Sequence, residues 1–294
     1  MKKLISTLIL FNFTFFNILK ASQLDIIQGI EIEPNYIDDG VHGMKITYRY
    51  NFLSLEEEHH NDTLLQNCTF TIKTKISENG KNIGTAKGFK SVTNQNGDLE
   101  FTIQLIGSEI QASKYDKLAV QFIPFAALNL MEGEHNLAVK AEISGKDATG
   151  FLHNQKIEKN GIVINKPITK TFTMNIDYLE VNTLNSIGQA WDYGIFKTDA
   201  PDVGINIMVG NVSVWKSNVN DTYMFAVGPN SKNISFTISK NDKVIFLVQD
   251  IDVMFNDFIA KWSFSTNDKK IGSNYNYNKA KGNVKSCNLS FRID

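Results

Sequence analysis

Residues Lys45-Ile46-Thr47-Tyr48-Arg49-Tyr50-Asn51-Phe52 carry an apolar or aromatic side chain at every second position. In an extended chain successive side chains point to opposite faces, so this stretch reads as a strand with one apolar face. The same alternation recurs outward from it: Cys68-Phe70-Ile72, Leu99-Phe101-Ile103-Leu105, Leu118-Val120-Phe122, Leu137-Val139-Ala141-Ile143 and Phe172-Met174-Ile176. Turn signals at Asn79-Gly80, Asn96-Gly97 and Glu132-Gly133-Glu134 separate these runs. Strands at this spacing without intervening helical periodicity predict an antiparallel β-sandwich of immunoglobulin-like size over residues 23–176.

A second set follows directly. Leu179-Val181, Val203-Ile205-Ile207-Val209, Ile234-Phe236-Ile238, Val244-Phe246-Val248 and Leu289-Phe291-Ile293 alternate in the same way. They predict a second sandwich over residues 177–294 and an all-β fold class for the whole chain. No Pro/Gly/Ser-rich linker divides the sets, so the two sandwiches are expected to touch and to move little against each other. Asn274-Tyr275-Asn276-Tyr277-Asn278 reads as a polar-aromatic loop.

Composition agrees with this class. A hydrophobic fraction of 42% fills two cores in a chain of 294 residues, and 20 Phe with 9 Tyr suit strands. Lys and Arg (30) nearly balance Asp and Glu (31), and no long single-sign block occurs, which argues against a nucleic-acid binder. Residues 1–22 differ from the rest: Lys2 and Lys3 precede the apolar run Leu4–Leu19, which is short for a bilayer span. That segment reads as a secretory signal, and the protein is expected to be exported, whether periplasmic, outer-membrane-associated or secreted. Of the two cysteines, Cys68 and Cys287 each alternate with apolar neighbours and fall in different sandwiches. They read as core-facing thiols rather than a bridge.

The densest chemical signal lies in two separate segments of the second sandwich. After Val244–Val248 comes Asp250-Ile251-Asp252-Val253-Met254-Phe255-Asn256-Asp257-Phe258-Ile259, and before Val203 comes the stretch holding Asp192, Asp199 and Asp202. Carboxylates this close repel one another unless something neutralises them. A hard dication does so, because calcium accepts six to eight oxygens in a flexible shell.

The segment Asp250-Ile251-Asp252 followed by Asn256-Asp257-Phe258-Ile259 resembles the third calcium loop of C2 domains, the calcium- and phospholipid-binding β-sandwiches. Pro201-Asp202-Val203 with the following strand and Gly210-Asn211 resembles the first loop of that family, and Val214-Trp215-Lys216-Ser217 its next strand. Gly204 stands in the pair after the aspartate where the family often has an aromatic residue. The resemblance covers about residues 178–294. It implies a Ca²⁺ site with ligands Asp202, Asp250, Asp252 and Asp257 and with either Asp192 or Asp199 as the earlier first-loop ligand. The apolar residues Val253, Met254, Phe255 and Phe196 beside these acids are candidates for membrane contact, the bland alternative being that they pack under the loops.

Other features carry less. Glu56-Glu57-Glu58-His59-His60-Asn61-Asp62 reads as a solvated loop, and His42, His135 and His153 are isolated. The chain has no phosphate-cradling Gly-rich loop, no His-Glu-x-x-His and no Gly-x-Ser-x-Gly. A non-enzymatic binding protein is expected, partnered by an anionic lipid or membrane surface, or by an envelope protein that the C2-like unit docks.

Overall fold

The computed structural model describes residues 27–50, 69–106, 117–146, 152–185, 187–188, 200–219, 222–225, 231–251, 256–267, 275–278 and 282–294. The chain is all-β and folds into antiparallel sheets stacked as two sandwiches. The expected signal segment, Cys68 and the acidic run 56–62 lie outside the described residues.

The first sandwich uses β1 (Ile27–Asp38), β2 (Val41–Tyr50), β3 (Thr69–Glu78), β4 (Lys81–Asn82), β5 (Glu100–Ile106), β6 (Lys117–Pro124), β7 (Gly133–Lys146) and β8 (Leu152–Lys166). One sheet has the order β1-β2-β6; the other runs β4-β3-β7-β8, with β5 also on β3. The turn signals act where they were read: Asn79 and Gly80 both adopt positive φ between β3 and β4, which suits a tight hairpin. At the side where β1 and β8 approach, Gln155 closes the gap. Its amide accepts the Ile27 N–H and donates to the Ile27 carbonyl, both at 2.8 Å, so part of two sheet edges is satisfied by one side chain.

Alternation finds β6, but its buried face is the other one. Leu118 and Val120 are exposed, whereas Ala119, Gln121 and Ile123 are buried; Phe122, third in the expected row, is buried beside Gly210 of the second sandwich. Their cross-strand partners decide this: Met44, Ile46 and Tyr48 of β2 face Ile123, Gln121 and Ala119, and directly opposed residues share a sheet face. Tyr48 then supplies a buried polar anchor, with its hydroxyl 2.6 Å from Thr74 Oγ1 and 3.3 Å from Gln121 Oε1.

The second sandwich uses β9 (Thr169–Val181), β10 (Val203–Val209), β11 (Val212–Val219), β12 (Ile234–Ser239), β13 (Lys243–Ile251), β14 (Asn256–Ser265), β15 (Tyr275–Asn278) and β16 (Val284–Ile293). Its sheets have the orders β11-β10-β13-β14 and β12-β9-β16-β15. Two readings of the sequence change here. Phe172-Met174-Ile176, assigned to the first sandwich, and Leu179-Val181, assigned to the second, form one strand, β9, paired with β12 and β16. The register shifts between Asn288 and Leu289, whose partners are Tyr178 and Ile176. That bulge moves the apolar positions from even to odd numbers, so one strand reads as two. The chain therefore changes sandwich at Pro167-Ile168 rather than at 176. The expected loop 274–278 contains β15, hydrogen-bonded to β16.

The two sandwiches share one apolar core cluster and touch through polar contacts as well. The Thr237 N–H donates to the Lys87 carbonyl at 2.9 Å, and Ser91 Oγ to the Ser213 carbonyl at 2.5 Å. The His42 N–H donates to Asp242 Oδ1 at 2.9 Å, and Lys243 pairs with Asp39 at 3.3 Å. These contacts involve the β10–β11 and β12–β13 turns, at one end of the second sandwich, and the edge strand β12.

Candidate functional site

Strand direction sets where the acidic segments lie. β10 begins at Val203 and ends beside Gly210, next to Phe122 of the first sandwich. β13 begins at Lys243 in the junction and ends at Ile251. The start of β10 and the end of β13 thus lie at the far end of the second sandwich, roughly 20 Å from the junction at about 3.3 Å per residue.

At that end the acids of two distant segments become neighbours. Val203 of β10 is opposite Asp250 of β13, and Asp250 is opposite Asp257 of β14. Asp250 and Asp257 hence face each other at the ~5 Å spacing of paired strands, and Asp202 immediately precedes the position opposite Asp250. The first and third segments are also bonded to each other. Asp202 N–H donates to Asp250 Oδ1 at 2.7 Å, and Ile251 N–H donates to the Asp202 carbonyl at 2.9 Å. Pro201 is tied in by the Thr222 N–H at 3.0 Å.

Asp250 extends the inward-facing row Val244, Phe246, Val248 and is itself fully buried. A buried carboxylate is costly unless bonded, and a backbone N–H to an ionised carboxylate is among the stronger hydrogen bonds. Asp250 therefore clamps the chain entering β10 to the chain leaving β13. Gly204 makes room for this: a Cβ there would fall 2.1 Å from Ile251 Cδ1. The side chain of Ile251 occupies the space that a residue other than glycine would take.

Asp202 is half-buried beside this clamp. Of the other expected ligands, Asp257 has its backbone in β14, while Asp192, Asp199 and Asp252 lie outside the described residues, as do Phe196, Val253, Met254 and Phe255. Among the described residues no group of three acids, histidines or cysteines is close enough to hold a metal by itself.

Apolar side chains that the sequence reading passed over surround the same end. Phe258 is 59% exposed and Ile251 38%, the first near the start of β14 and the second at the end of β13. Met224 and Leu184 are each half exposed, Ile187 more so. Their segments are joined to the end of β9, because Val181 N–H donates to the Tyr223 carbonyl and Asn182 N–H to that of Asn283, both at 2.7 Å. The sequence held a signal for Phe258: it breaks the inward alternation next to Ile259, which is fully buried.

Two grooves lie elsewhere. One, of about 370 Å³, runs over the outer face of β3, β7 and β8 among Lys73, Lys75, Lys140, Glu142, Lys156 and Glu158. Its charges are cross-strand pairs, including Lys75–Glu100 at 3.2 Å and Lys140–Glu158 at 3.6 Å, a pattern that stabilises pairing and keeps a sheet face soluble. The other, of about 330 Å³, lies where the β10–β11 turn meets β5 and β6. Neither is lined by Asp202 or Asp250. Cys287 is fully buried and its thiol is pushed up to about 12 by burial, so it acts as a small hydrophobe. A scan against protein-family models finds no match, and a search of curated proteins finds no similar sequence.

Proposed function

We propose that this is an exported, non-enzymatic binding protein whose second sandwich is C2-like and attaches to an anionic membrane or lipid surface through calcium. Asp202, Asp250, Asp252 and Asp257, with Asp192 or Asp199, would supply carboxylate oxygens to the ion, and open coordination positions would accept phosphate or carboxylate oxygens of the surface. The observation that carries this reading is the pairing of Asp250 with Asp257 on adjacent strands, with Asp202 immediately before the strand on the other side and bonded to Asp250. Exposed Phe258 and Ile251 beside them supply the apolar contact that an interfacial surface rewards. Calcium titration by calorimetry on the mature chain, followed by sedimentation with phosphatidylserine vesicles, tests it. The expected result is calcium heat and calcium-dependent pelleting. Absence of both sinks the reading.

One observation favours a second reading. The Asp250 carboxylate is already engaged in holding the Asp202 backbone, so an ion bound beside it would stiffen loops that dock an envelope protein. In that case calcium heat persists and the vesicles do not pellet the protein.

A further inference from the structure

The junction end of the second sandwich also buries an acid. Asp242, in the β12–β13 turn, is fully buried, and His42 of the first sandwich reaches its carboxylate twice. The His42 backbone N–H and the His42 Nδ1 each lie 2.9 Å from the same oxygen, Oδ1. The other oxygen, Oδ2, is buried and makes no hydrogen bond. The Ser239 hydroxyl lies close enough to favour the ionised carboxylate, and the Thr266 hydroxyl is also buried. Both belong to the same turn region, since the Asp242 N–H donates to the Ser239 carbonyl and the Thr266 N–H to the Asp242 carbonyl, each at 3.1 Å.

This asymmetry has a direct electrostatic meaning. Ionised Asp242 has one well-served oxygen, while the other is held away from water without a close hydrogen bond. A proton on Oδ2 would remove the charge from that buried oxygen. Burial pushes the carboxyl above its ordinary value, while the two bonds from His42, the imidazole charge and the Ser239 hydroxyl pull the other way. Other charged groups on the elements that meet here are the Asp39–Lys243 pair, half exposed, Lys240 in the same turn, and Lys166, the buried last residue of β8. Ile168 accepts the Lys240 N–H at 2.9 Å.

We propose that Asp242 and His42 form an acid-tightened joint between the two sandwiches, which sets the direction in which the far acidic end points. Parting the sandwiches would return Asp242 to water and its carboxyl to an ordinary value. The closed joint therefore binds a proton more readily than the open one, and falling pH favours closure. The joint needs neither calcium nor a surface, so it stands apart from the function proposed above.

Paired spin labels at exposed Glu31 and Lys261, in a Cys68→Ser background, read the spread of distances between the sandwiches as a function of pH. In the otherwise unchanged protein the distribution is expected to narrow as pH falls from mildly alkaline to mildly acidic. Asp242→Asn removes the titration and places an amide donor at Oδ2, so its distribution should stay narrow at every pH. His42→Ala leaves the carboxylate without the imidazole, so narrowing should begin at a higher pH than in the parent. A parent distribution that is insensitive to pH, or that widens in acid, overturns the joint, as does a His42→Ala profile that coincides with the parent.

Discussion

The two ends of the second sandwich each bury one aspartate beneath a turn of β13, and the two are used differently. Asp250, at the far end, bonds a backbone N–H from its own sandwich and ties together the two acid-bearing segments. Asp242, at the near end, is bonded by His42 of the first sandwich through both its backbone N–H and its ring. The contrast shows that burial alone does not tell what a carboxylate contributes. A clamp within one sandwich stabilises a loop. A charge shared across a joint specifies orientation and costs stability whenever it is ionised.

Four measurements bear on that contrast. Asp250→Ala should have the largest effect, lowering unfolding free energy by about 3 kcal/mol, since it removes the clamp and strands the Asp202 N–H; urea denaturation measures it. A loss as small as that of an exposed substitution would mean the clamp is dispensable. Next, calcium at a hundredfold excess over its dissociation constant should raise unfolding free energy by about 2.7 kcal/mol. The doubly changed Asp250→Asn, Asp252→Asn chain should gain nothing under the same conditions, as read by thermal melting with and without chelator.

Asp242→Asn should act in the opposite sense, stabilising the protein by about 1 kcal/mol at neutral pH. The sign follows from the raised carboxyl: the folded state holds that proton more tightly than the unfolded chain. Ionised Asp242 thus lowers stability in full above its folded-state midpoint. The gap between variant and parent should shrink as pH falls through that midpoint toward the unfolded value of 3.8. Melting curves across the acidic range check it, and a gap that widens in acid would falsify the assignment. The smallest effect belongs to the outer sheet face of the first sandwich. Lys75→Ala breaks a half-exposed cross-strand pair with Glu100 and should cost less than about 1 kcal/mol.

Much of the architecture was legible because period-two alternation is written into each strand. The rows Leu137-Val139-Ala141-Ile143 and Val203-Ile205-Ile207-Val209 are buried as their pattern predicts. Where pattern failed, a specific competitor won. In β6 both faces carry apolar residues, so only the pairing with Met44, Ile46 and Tyr48 selects the inner one. In β9 a bulge reverses the phase of alternation. The candidate acids were legible as composition, but Phe258 and the exposed residues of neighbouring segments were not, because exposure depends on what packs beside them. His42 looked isolated, for its partner lies 200 residues away.

By itself the sequence determined the all-β class, the approximate strand set and the two segments rich in aspartate, since each is a property of neighbouring residues along the backbone. Only tertiary structure decided that Asp202 meets Asp250, that Asp250 is a buried clamp, and that His42 reaches across to Asp242. Those contacts depend on register between strands and on how two sheets stack, and both are set by packing over the whole chain rather than by any local run.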